Sequence, residues 1–185
     1  MSGTIMQNGI SINELSGLHR IGIKGPNTAQ WLTDHGIAPP ANPNCCLIAE
    51  GRLMILRLGN SEFMIESAID HLVFEQLTEA SQPVANGVYR VQRTDAAFML
   101  SGEGLSPLLS ELCSLDLSEK SLAENTLLLT QFAGISAIVL RQKNSHQAGY
   151  RIWCDGTYAA YMRETLQEVA LELNAPNRSP QPGGF

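Results

Sequence analysis

One pattern constrains this chain more than any other, because it occurs twice. The stretch IGIKGPNTAQWL, residues 21–32, aligns without a gap on FMLSGEGLSPLL, residues 98–109, with Gly25 and Gly102 in the same place. Each copy reads as a strand, a glycine and the start of a helix, followed by a hairpin and a second helical pattern. Residue identity between the copies is low, and ordinary α+β grammar is the alternative. Order and spacing favour a duplicated β-α-β-β-α unit. The expected fold is α+β: two pseudo-repeated subdomains, each an antiparallel sheet with helices packed on one side. The expected boundaries are a loosely held arm over 1–17, subdomains over 18–85 and 86–173, and a disordered Pro/Gly-rich tail over 174–185.

Within the first half, HRIGIK reads as a strand ending at Gly25. Pro26 suits a first helical turn, where a missing N–H costs nothing, and Gly36 closes the helix. IAPPANPN reads as an extended linker. GRLMILRL and EFMIE form a hairpin near GNSE, and a helix follows with Ile69, Val73 and Leu77 a turn apart. In the second half GVYRV and AAFMLS are strands, and Leu105, Leu108, Leu109 and Leu112 carry the helical spacing. TLLLTQF, ISAIVLR and GYRIWC are strands, with a turn at KNSHQ. Asp155 caps a last helix with Tyr158, Met162, Leu166, Val169 and Leu173 on one face.

A strand–glycine–helix junction can cradle a phosphate on the free N–H groups of the helix start. A duplicated junction argues instead for an architectural corner, which makes Gly25 and Gly102 fold determinants. GEGLSP has Pro107 where the third glycine of G-x-G-x-x-G belongs, and the P-loop pattern is absent. The net charge of −6 argues against nucleic acid or an anionic membrane as the ligand. The start of the chain lacks the charged and apolar regions of a secretory signal, and GISAIVL is only strand-sized, so a cytoplasmic protein is expected. Charged residues make up 16% of the chain, against about 25% typically. Either a partner covers part of the surface, or the surface is rich in uncharged polar side chains.

No catalytic, cofactor-binding or metal-binding residue is assigned. Cys45, Cys46, Cys113 and Cys154 show no C-x-x-C spacing and read as buried thiols in a reducing cytosol. His19, His35, His71 and His146 are scattered, and His146 falls in a polar turn. Asp70 and His71 are neighbours on a helical pattern, so their side chains diverge. The cluster of Arg90, Arg93 and Asp95 in VYRVQRTDAAF is the one candidate polar pocket. Two residues apart on a strand, Arg93 and Asp95 share a face; they bind an acidic group, pair with each other, or form a solvated strand face.

Residues 88–170 carry a strand into S-G-x-x-x-x-x-L-L, then CSLDL, then the pair TLLLTQFAGISAIVLR, then the helix TYAAYMRETLQEVA. In that order and spacing they resemble the gamma subunit of heterotetrameric sarcosine oxidase; KGP, ANPN and RLGNSEFMIES extend the likeness into the first half. That subunit is similar in fold to the glycine-cleavage T-protein and its folate-binding relatives. The resemblance implies a complex that oxidatively demethylates sarcosine to glycine. It also implies a gamma chain that is not catalytic alone and assembles with the large (alpha) subunit, with FAD, FMN, NAD and tetrahydrofolate held by partner subunits. Self-association of the isolated chain is part of that expectation. The alternative is a stand-alone tetrahydrofolate-binding aminomethyltransferase-like protein. Against it, the T-protein's G-Y-T-G-E-D-G-F-E-like hairpin corresponds here to RQKNSHQAGYRIWC, which lacks the acidic residue and the tight glycine turn. The K-G-C-Y-x-G-Q-E signature is absent too, and 185 residues are expected to leave no room for a third, barrel domain.

Overall fold

The computed structural model describes residues 4–7, 9–49, 53–67, 72–80, 86–144 and 147–173. The chain runs through β1 (Thr4–Gln7), β2 (Ile10–Glu14), β3 (His19–Lys24), α1 (Thr28–Asp34), β4 (Cys45–Ala49), β5 (Leu53–Arg57), β6 (Glu62–Ser67) and α2 (Leu72–Ala80). It continues through β7 (Tyr89–Gln92), β8 (Ala96–Gly102), α3 (Leu105–Leu112), β9 (Leu127–Phe132), β10 (Ile135–Asn144) and β11 (Gln147–Cys154). A 3-10 turn then leads into α4 (Ala159–Glu172).

Two antiparallel sheets result, in the orders β4-β5-β6-β3-β7 and β1-β2-β8-β11-β10-β9. Read from its β9 end, the second sheet repeats the five strands of the first and adds β1 as a sixth, so the duplication expected from the two glycine junctions is present in the fold. Two corrections follow. The repeating unit is β-α-β-β-β-α, because CCLIA adds the strand β4 straight after the linker. The flanking strands are also exchanged: β7, expected in the second subdomain, pairs with β3, and β2 pairs with β8. Residues 4–7 and 10–14 therefore form two sheet strands in place of a loose arm, and the boundary between halves falls after β7. The tail over 174–185 lies outside the described residues, as do Ile69, Asp70, His71 and His146.

The layering follows from period-two alternation on strands covered on both faces. In β5, Leu53 and Ile55 join Trp31 and Leu32 of α1 and Leu77 of α2, whereas Met54 and Leu56 face the other sheet. In the second half Phe98, Leu100 and Ile152 meet Leu105, Leu108 and Leu109 of α3 and Met162 and Leu166 of α4. Between the sheets lie Met64, Leu127, Leu140 and Trp153. The order of layers is helices, sheet, sheet, helices. The last helix buries Met162, Leu166 and Ala170, while Tyr158 and Leu173 of its expected inner face are exposed. Asp155 does cap the turn before it: its Oδ1 accepts from the Thr157 N–H at 2.9 Å.

Gly25 and Gly102 have φ of 129° and 122°, a region closed to other residues at tolerable cost. A Cβ on Gly25 would strike the Gly87 carbonyl, and one on Gly102 the Gly9 carbonyl. Gly87 and Gly9 stand just ahead of β7 and β2, so each corner glycine admits the exchanged strand beside it. The halves also meet where β4 and β9 begin. The Cys46 N–H donates to the Asn125 carbonyl and the Leu127 N–H to the Asn44 carbonyl, both at 2.8 Å.

Gly25→Ala and Gly102→Ala are each expected to cost about 2 kcal/mol or more, since strain and a backbone collision combine. Gly59→Ala, with open space around its Cβ position, should fall within about 0.5 kcal/mol of the parent. Urea denaturation midpoints of the three variants check this.

Candidate functional site

Arg93 and Asp95 do come together, Nη1 to Oδ1 at 3.5 Å, and Arg93 Nη2 also lies 3.2 Å from Glu62 Oε1. They do so on the connection that carries the chain from β7 to β8, rather than on one strand face. Arg90 points into solvent from β7. The pair edges a cleft of about 570 Å³ whose other walls include Thr130, Gln131, Ser136, Cys154 and Asp155. Arg93 Nε and Asp95 Oδ2 are buried without a hydrogen-bond partner among the described residues. Burial pushes the Cys154 thiol up to about 11, with the Asp95 and Asp155 carboxylates adding to it. At neutral pH this cysteine is a thiol and a poor nucleophile. The cleft can hold a small polar group against paired charges, and it presents no nucleophile–base pair among the described residues.

The described histidines and cysteines pack within the fold. The His19 ring lies 5.8 Å from that of Phe74, and the His35 ring 4.2 Å from that of Trp31. All four cysteines are free, and Cys46, Cys113 and Cys154 are buried. Burial raises the Cys46 thiol to about 12. No group of three or more His, Cys, Asp or Glu side chains among the described residues can hold a metal ion.

The most concentrated polar chemistry lies apart from the residues that the sequence motifs mark. Glu66, at the end of β6, is buried between the sheets. Its Oε2 accepts from Arg20 Nε at 2.5 Å and from Trp153 Nε1 at 2.7 Å, and Arg151 Nη2 lies 2.6 Å from its Oε1. Arg20 spends its remaining N–H groups on the carbonyls of Leu15, Ser16, Leu18 and Asp95. The sequence did carry a signal: a glutamate follows Phe63, Met64 and Ile65 in a strand with both faces covered. Its partners, however, come from β3 and β11.

Glu66→Leu leaves two buried guanidinium groups without their carboxylate and should cost about 3–5 kcal/mol. Trp153→Phe removes one donor and should cost about 1–3 kcal/mol. Chemical denaturation of both variants tests the order. A second expectation concerns pH. The hydrogen bond from Arg163 holds the Glu14 carboxyl below its ordinary value, and the Arg141 guanidinium does the same for Glu119. Such groups bind fewer protons folded than unfolded. The stability they lend is complete above the ordinary carboxyl pKa, about 4, and is lost as pH falls through their lower folded values. The urea midpoint should therefore drop between pH 6 and pH 3, and Arg163→Gln, which releases Glu14, should lose part of that drop.

No family model and no curated protein matches the chain. Solved structures do. A chain of the heterotetrameric sarcosine oxidase from Corynebacterium sp. U-96, solved in complex with pyrrole 2-carboxylate, superposes with a TM-score of 0.76 at 16% identity. The match covers 95% of this chain and 90% of that one. The glycine cleavage system aminomethyltransferase T from Bartonella henselae superposes with a TM-score of 0.65, also at 16% identity, over 86% of this chain and 46% of that one. The present chain thus spans about half the length of the aminomethyltransferase. With two repeated antiparallel sheets back to back and helices outside them, this chain has the T-protein-like fold that those two structures share.

Proposed function

We propose that the chain is a non-catalytic, gamma-type subunit of a cytoplasmic sarcosine oxidase complex. In this reading it assembles with the large, folate-binding alpha subunit, and the partners carry FAD, FMN, NAD and tetrahydrofolate. The observation that supports it is the end-to-end correspondence with one chain of a heterotetrameric sarcosine oxidase, 95% of one on 90% of the other. A surface suited to a partner accompanies it. Edge strands β4 and β9 expose Ile48 and Leu129, 51% and 55% accessible, at equivalent positions of the two halves. An apolar edge strand left open invites pairing or association, and a permanent partner is one way to cover it.

The shared fold with aminomethyltransferase T supports a second reading, a stand-alone tetrahydrofolate-binding protein. One experiment separates them. The tagged chain is purified from its native cell grown on sarcosine. Recovery in equal amounts with a yellow flavoprotein is the outcome the subunit reading expects. Recovery as a soluble monomer overturns it, and a melting temperature that rises with added tetrahydrofolate then supports the second reading by mass action.

A further inference from the structure

A cleft of about 640 Å³ opens on the helix side of the second sheet, between α3 and the segment that follows it. Its apolar wall includes Leu105, Leu109 and Leu117, and Arg141 and Tyr150 close it from the sheet. These two are direct cross-strand partners on β10 and β11. The Tyr150 hydroxyl donates to the Leu117 carbonyl at 2.6 Å, and burial raises its pKa, so it is a neutral phenol.

Arg141 is the unusual member. Its side chain is 3% exposed, yet among the described residues its Nε has no hydrogen-bond partner. Nη1 reaches the Leu122 carbonyl only at 3.5 Å, and Nη2 bonds Glu119. The equivalent arginine of the first half behaves otherwise. Asn44 donates its N–H to the Arg57 carbonyl as Asn125 does to that of Arg141, which fixes the equivalence. Arg57 has all three nitrogens on carbonyls, those of Gly59, Pro40, Ala41 and Asn60. The Nε and Nη2 edge of Arg141 matches the two oxygens of a carboxylate; its Nη2 is held by Glu119 and its Nε has no hydrogen-bond partner among the described residues.

Glu119 occupies half of that edge from a side chain 65% exposed. A partner so exposed is rehydrated when it leaves, so a second carboxylate can take its place on the buried guanidinium. Glu103 and Asp116 also line the cleft and oppose a second negative charge on any occupant. We propose that this cleft is a binding site for a small organic monocarboxylate with an apolar body. The ligand's carboxylate displaces Glu119 to take the Nε and Nη2 edge of Arg141, and its body lies on Leu105, Leu109 and Leu117. The site consists of this chain's own residues and does not depend on the subunit reading.

The test is a titration of sodium hexanoate into the ¹⁵N-labelled full chain, followed through the amides of Leu105, Leu109, Leu117 and Tyr150. Saturable shifts confined to these amides are expected, with 1-hexanol far weaker. Glu119→Gln removes the competing carboxylate from an exposed position and should tighten binding by about threefold to fivefold. Arg141→Lys keeps the charge but not the two-pronged edge and should weaken binding about tenfold or more. Absence of saturable shifts in both the parent and Glu119→Gln overturns the proposal. So does binding that Glu119→Gln leaves unchanged or weakens, or hexanol binding as tight as hexanoate.

Discussion

The two sheets are locked by one carboxylate. Glu66 sits in the layer between them and holds Arg20 from one sheet and Arg151 and Trp153 from the other. Arg20 in turn gathers carbonyls from the two places where the chain crosses between sheets, residues 15–18 and Asp95. A buried ion pair contributes little net stability, because desolvation offsets its Coulombic gain. Its strength lies in direction. The surrounding Met, Leu and Cys side chains tolerate sliding of one sheet over the other, whereas three donors on one carboxylate fix a single arrangement.

That lock is asymmetric inside a duplicated architecture. Counting along the paired strands from the corner glycines, Glu66 and Trp153 occupy equivalent positions of β6 and β11. One copy became the acceptor and the other the donor, so two related units bind each other as unlike partners. The same divergence separates Arg57, whose guanidinium is used up on carbonyls, from Arg141, whose guanidinium is not. A repeat keeps the backbone and frees the equivalent side chains to specialise. Chemistry in such a fold is therefore best sought where the halves differ.

Much of the local structure was legible. The Leu105, Leu108, Leu109 and Leu112 spacing is the buried face of α3, and the corner glycines have the backbone angles their role requires. Arg93 and Asp95 do meet, though on a connection and with Glu62 as a further partner. The strand β4 is not legible in the sequence because it is short and follows three prolines, which mask its onset. Strands β1 and β2 are not legible because a polar, glycine-punctuated stretch has little intrinsic preference for a sheet; β8 supplies the edge that β2 pairs with, and β2 the edge for β1.

By itself the sequence determined the repeat, the buried face of α3, the β5–β6 hairpin and the glycine corners. Each depends on spacing within a few residues, which the chain carries wherever it folds. Only the tertiary structure decided which sheet each flanking strand joins, what neutralises Glu66, and which of two equivalent arginines is left with an unpartnered Nε among the described residues. The reason is range. Glu66 meets Arg20 across 46 residues and Trp153 across 87, and no local pattern encodes a partner at that distance. Such contacts are selected when the whole apolar interior closes and leaves a buried carboxylate such as Glu66 a single set of donors.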